Sequence, residues 1–125
     1  APGDAPQIPL YVCVMTSPTE PSAAGPVRLV ATVSVRPDAV ADAVAKARAM
    51  LAIAPAVLSA EVGVRRDVKT GEVVPGDYVI SATFADHASL VRYATSDEHN
   101  EVHDWVVQHI VDEHVSVYDA GPVAR

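Results

Sequence analysis

Runs that alternate apolar and polar residues with period two, two stretches with apolar residues at helical spacing, and the order in which they occur predict an α+β domain. Half of the residues are hydrophobic and 20% are charged, which supplies a buried core and excludes a natively disordered chain. With 125 residues, one compact domain is expected.

Residues 1–26 hold six prolines and are expected to form an N-terminal arm. Within it, Leu10-Tyr11-Val12-Cys13-Val14-Met15 has strand composition and reads as an added edge strand or docking arm, followed by a Pro/Ser/Ala-rich linker over Ser17 to Pro26. The domain itself is expected over 27–120, with a tail over 121–125.

Its first strand places Leu29, Ala31, Val33 and Val35 on one face and Val30, Thr32 and Ser34 on the other. Arg36-Pro37-Asp38 opens a helix in which Val40, Val44, Ala47 and Leu51 share a buried face and Asp42 precedes Lys46 by four residues. Pro55 ends it, because the residue before a proline is pushed out of the helical region. A second strand from Val57 carries Leu58, Ala60, Val62 and Val64 on one face. The loop after it, with Lys69-Thr70-Gly71 and Pro75-Gly76, reads as a hairpin connection.

The third strand alternates Tyr78, Ile80, Ala82 and Phe84 with Val79, Ser81 and Thr83. Asp86 is placed to cap a short helix through Leu90, Val91 and Tyr93, and Ser96 to cap a second, with Asp97 and Glu98 near its positive end. That second helix is expected to run to about Val111, and a last strand, Val115-Ser116-Val117-Tyr118, closes the sequence.

The order is β-α-β-β-α-β with the second helix broken in two, the ferredoxin-like plan. Two helices cover only one face of a four-stranded sheet. The other face includes Thr32, Ser34, Ser59, Ser81 and Thr83, too mixed for a dry interface and too apolar around them for open water. A homodimer that packs sheet to sheet around a cavity, a dimeric α/β barrel, meets both demands.

Sixteen acidic against nine basic residues give a net charge of −7, and no basic cluster is longer than Arg65-Arg66, so nucleic acid is not an expected partner. Cys13, the only cysteine, excludes an intrachain disulfide and a multi-cysteine metal site. A reducing cytoplasm is the expected location. No apolar run approaches membrane-spanning length and Ala1-Pro2-Gly3-Asp4 lacks the features of a signal peptide, so no membrane partner is expected.

Three segments carry a family resemblance: Val27-Arg28-Leu29-Val30, Pro55-Ala56-Val57-Leu58-Ser59-Ala60-Glu61-Val62-Gly63, and Tyr93-Ala94-Thr95-Ser96-Asp97-Glu98-His99. Through them the stretch from about Val27 to Asp119 resembles the stress-responsive dimeric α/β-barrel family, in particular its polyketide cyclases of the olivetolic acid cyclase type. The resemblance implies His99 as general base and Tyr93, six residues earlier, as its hydrogen-bonding partner. The implied reaction is intramolecular aldol-type ring closure of a linear poly-β-ketone without metal or organic cofactor. Two positions depart from the family pattern: Ser96-Asp97-Glu98-His99 stands where His-Pro-x-His is usual, and Leu29 where the first strand commonly has a His.

The chemistry is sound for these side chains, since the α-proton of a β-ketone is acidic enough for an imidazole and a phenol can orient the enolate oxygen. The plainer roles are a helix-start residue for His99 and a core residue with a surface hydroxyl for Tyr93. His99 and His103 are also spaced four apart, as two imidazoles on one metal can be, but no third ligand stands out beyond the nearby Asp104 and His109, and no metal is expected. Tyr78, Ile80, Phe84, Trp105 and His103 are expected to shape the substrate pocket, although Trp105 with Val102, Val106 and His109 also reads as a core stripe. Two other functions fit the same plan: a cofactor-free monooxygenase of antibiotic biosynthesis, which consumes O₂, and a non-catalytic, stress-associated homodimer.

Overall fold

The computed structural model describes residues 25–122, so the strand expected at Leu10 to Met15 and the end of the tail lie outside the described residues. Strand β1 (Val27–Val35) alternates as its sequence requires, with Val27, Ala31, Val33 and Val35 buried. A single 3₁₀ turn over Pro37–Ala39, with proline in the first turn where its missing N–H costs nothing, leads into helix α1 (Val40–Ile53). Helix α1 buries Ala43, Val44, Ala47, Met50 and Leu51. It stops at Ala54, whose ψ of 114° is the extended conformation that Pro55 imposes on it.

Strands β2 (Val57–Arg66) and β3 (Val73–Phe84) form a hairpin. Its turn is held by Asp67, whose side chain accepts the backbone N–H groups of Lys69 at 2.8 Å and Thr70 at 2.9 Å. Strand β3 begins earlier than the sequence suggests and takes in Pro75-Gly76, expected in the loop. Between the pairs Val64↔Tyr78 and Arg66↔Val73, β2 advances two residues while β3 advances five, so the dipeptide sits in a bulge outside the regular ladder. Gly76 is required there: its φ is +85°, and a Cβ would collide with the Val35 carbonyl oxygen. A second irregularity between Val57 and Ser59 leaves Leu58 64% exposed, away from the buried set to which its spacing assigns it.

Helix α2 (His87–Ala94) starts at Asp86, whose side chain accepts the Ser89 N–H, and helix α3 (Asp97–Val107) starts at Ser96, whose hydroxyl accepts the His99 N–H. Both caps are where the sequence puts them. Strand β4 (Ile110–Asp119) corrects the remaining boundary, since the helix was expected to reach about Val111 and the strand to begin at Val115. The last turn of α3 tightens through bonds from Gln108 N–H to Trp105 O and from His109 N–H to Val106 O, and Ile110 then pairs with Val35. Asp112 and Glu113 hide this start from a composition-based reading, because an edge strand tolerates charge.

The sheet is antiparallel in the order β2-β3-β1-β4. Its register sets three cross-strand rows on the helix-covered face: Glu113, Val33, Tyr78; Val115, Ala31, Ile80; and Val117, Leu29, Ala82. The opposite face carries Thr32, Ser34, Ser59, Ser81 and Thr83, as expected. There Arg28 donates to Ser81 Oγ at 2.7 Å, while Asp77 takes Ser34 Oγ and Arg65 Nη1, each at 2.7 Å. The fold is the ferredoxin-like α+β plan.

Candidate active site

A cavity of about 680 Å³ lies between the helix-covered face of the sheet and the helices. The sequence suggested a space enclosed between two sheets; the structure places this one within a single chain, because α2 and α3 stand off β4 and β1. Its floor is aliphatic, from Leu29, Ala31, Val33 and Ile80, and its roof comes from Met50, Leu90, Val102 and Val106.

Ser96 places the two residues singled out for chemistry. Its hydroxyl donates to the Tyr93 carbonyl at 2.8 Å and accepts from the His99 N–H at 3.2 Å, tying the end of α2 to the first turn of α3. Across this join the rings of Tyr93 and His99 meet edge to face, centroids 4.9 Å apart and planes at 67°, in place of the hydrogen bond that the resemblance implied, because the Tyr93 hydroxyl donates to Met50 Sδ at 3.9 Å. His103, one turn on, stacks on His99 at 5.7 Å.

Burial is the dominant influence on these groups. It lowers the proton affinity of His99, with the nearby His103 acting in the same direction and the Asn100 side chain against it. His99 Nδ1 is sealed from solvent and has no hydrogen-bond partner among the described residues. Burial pushes the phenol of Tyr93 up to about 12, helped by Tyr78. Tyr78 itself is pushed up to about 12, by burial and then by the Glu113 charge. The site thus presents an uncharged imidazole beside the protonated phenol of Tyr93, with a second protonated phenol, Tyr78, in the same cavity wall.

Of the residues assigned to the site from sequence, Tyr78, Ile80, Tyr93, His99 and His103 line the cavity. Phe84 and Trp105 are outside the lining. Phe84 is fully buried behind Tyr93, ring centroids 5.3 Å apart, and so supports that ring from the rear. Trp105 lies against His109, ring centroids 4.2 Å apart and planes tilted by 30°, with the Lys46 ammonium 5.1 Å from its ring, the core-edge role that its helical stripe allows. Sequence reasoning missed His87, Met50, Glu113 and His114, which also line the cavity. Glu113 and Val115 were legible as alternate members of one strand face, had the strand been started at Ile110. Among the described residues, no group of three or more His, Cys, Asp or Glu is arranged to hold a metal ion, and no helix is long and apolar enough to cross a membrane.

No protein-family model and no curated protein matches the chain. Solved structures do. The chain is similar to SnoaB, a cofactor-independent oxygenase from Streptomyces nogalater, with 18% identity and a TM-score of 0.64 over 80% of this chain and 97% of that one. It is also similar to an antibiotic biosynthesis monooxygenase, with 19% identity and a TM-score of 0.60 over 77% and 99% of the two chains. A dimeric ferredoxin-like protein of unknown function from Thermobifida fusca YX gives 14% identity and a TM-score of 0.64 over 76% and 91%. At such identities the likeness establishes the fold.

Proposed function

We propose that the protein is a cofactor-independent oxygenase acting on an enolisable, polyketide-type aromatic substrate. One observation carries this reading: an imidazole kept neutral by burial lies in a largely aliphatic cavity, beside a protonated phenol. Neutral His99 takes a proton from an activated CH₂ group, and Tyr93 orients the oxygen onto which the charge spreads. The carbanion passes an electron to O₂ and the resulting pair combines to a peroxide anion, which regains the proton from His99. Loss of water leaves a carbonyl, so that CH₂ and O₂ become C=O and H₂O without any further reductant. The solved structures named as oxygenases support the same reading by likeness of fold.

Ring closure of a poly-β-ketone by the same base is the second reading, favoured by the two neutral phenols, Tyr78 and Tyr93, which can each donate to a carbonyl oxygen. An oxygen electrode separates the two. With anthrone as substrate the oxygenase takes up one O₂ per carbonyl formed and stops under argon; product formed equally well under argon from a linear poly-β-ketone, with no O₂ uptake on anthrone, establishes the cyclase instead.

The working form is proposed to be a homodimer joined through the sheet face that the helices leave bare. Half-buried Val30, Thr32 and Val79 lie at its centre, and the similar Thermobifida fusca structure is described as dimeric.

A further inference from the structure

Among the described residues, Glu113 is the one carboxylate in the lining of the cavity. The register puts it in a row with Val33 and Tyr78, and its charge acts on the Tyr78 phenol. Among the described residues no Lys or Arg lines the cavity. The other titratable side chains in the wall are His87, His99, His103, His114, Tyr78 and Tyr93.

A cavity so built has a carboxylate acceptor, a base and largely aliphatic walls, and among the described residues no Lys or Arg to receive an anion. We propose that Glu113 is a specificity-determining residue, which accepts a hydroxyl of an uncharged polyhydroxy aromatic substrate and turns away analogues bearing a free carboxylate. This rests on the function proposed above and adds the charge class of its substrate. The reaction that supplies the substrate is then one that removes or masks the terminal carboxylate of the polyketide, a decarboxylation or an esterification.

The test is a binding measurement on the full chain with two matched probes, 1,8-dihydroxyanthraquinone and its 3-carboxylic acid, titrated calorimetrically at pH 7.5. Wild-type protein is expected to bind the acid about tenfold more weakly than the uncharged probe, the scale of like-charge repulsion in a partly desolvated site. Glu113→Gln is expected to bring the two within threefold by tightening the acid, with an unchanged melting temperature, and Glu113→Asp to keep the wild-type ratio. A wild-type ratio below threefold, a ratio that Glu113→Gln leaves alone, or failure of both probes to bind overturns the proposal. His99→Gln is expected to keep the ratio. Oxygen uptake reports on the proposed function alone: binding selectivity without uptake sinks the oxygenase and leaves the selectivity of Glu113 standing, and uptake without selectivity does the reverse.

Discussion

Burial favours the uncharged form of His99, the form that the proposed role as base requires. Because its folded proton affinity lies below the ordinary imidazole value, the unfolded chain binds more protons than the folded one as the pH drops through that range. The stability from neutral His99 is therefore complete above about pH 6.5 and is lost as the pH falls through the lowered folded value. The acid limb of kcat/KM, and the ring-proton NMR titration of His99, are expected below 6.5; a midpoint at or above 6.5 removes the desolvated base from the mechanism. His99→Gln is expected to cut turnover by about 10²- to 10⁴-fold, the usual worth of a general base. The melting temperature at pH 8 should stay within a few degrees of wild type. The Tyr93 and His99 pair was suggested by the family resemblance of the segment that holds both, and the structure brings the two rings into contact. Met50 and Glu113 were not, because they reach the cavity from α1 and β4, and only tertiary packing brings those elements to it.

At the scale of elements, the join between α2 and α3 is the part of the fold that most directly positions the Tyr93 and His99 rings. Ser96 serves two helices at once, bonding the last turn of one and capping the first turn of the next. Ser96→Ala is expected to cost about 1 kcal/mol of stability, as for a lost N-cap. It should also lower kcat by more than it raises KM, because Tyr93 and His99 are no longer held in edge-to-face register. Thermal unfolding and steady-state rates on the one variant check both; a stability loss with unchanged kcat reduces Ser96 to a cap. The helix starts at Asp86 and Ser96 and the stop at Pro55 were readable because each is a local signal. The early starts of β3 and β4 were not: Pro75-Gly76 and Asp112-Glu113 resemble loop residues, and strand pairing there is decided by partners distant in sequence.

For the whole molecule, the unresolved demand is the sheet face opposite the helices, where an aliphatic centre is bordered by the Arg28–Ser81 and Ser34–Asp77–Arg65 contacts. Val30 lies on that face between Ser81 and Ser116, away from the cavity. Val30→Glu would place two like charges in the proposed interface, and sedimentation equilibrium is expected to show a dimer for the wild type and a monomer for the variant. A wild-type chain that sediments as a monomer at micromolar concentration rejects the dimer. The β-α-β-β-α-β order and the mixed face followed from the period-two alternation. What covers that face did not, since alternation says which side chains share a side and nothing about what they meet.

Strand β4 alternates by register, with Glu113, Val115 and Val117 in the rows of the helix-covered face and His114, Ser116 and Tyr118 in those of the bare face, although His114 and Ser116 also border the cavity. Only Gln108 and His109 separate it from α3. Inserting or deleting one residue in that connection, if the strand slid to absorb it, would exchange the two sets in a single step. Pocket and docking face are thus bound to one another in inheritance: they can be tuned by substitution one side chain at a time, but length changes at this connection must come in twos or be taken up before Ile110.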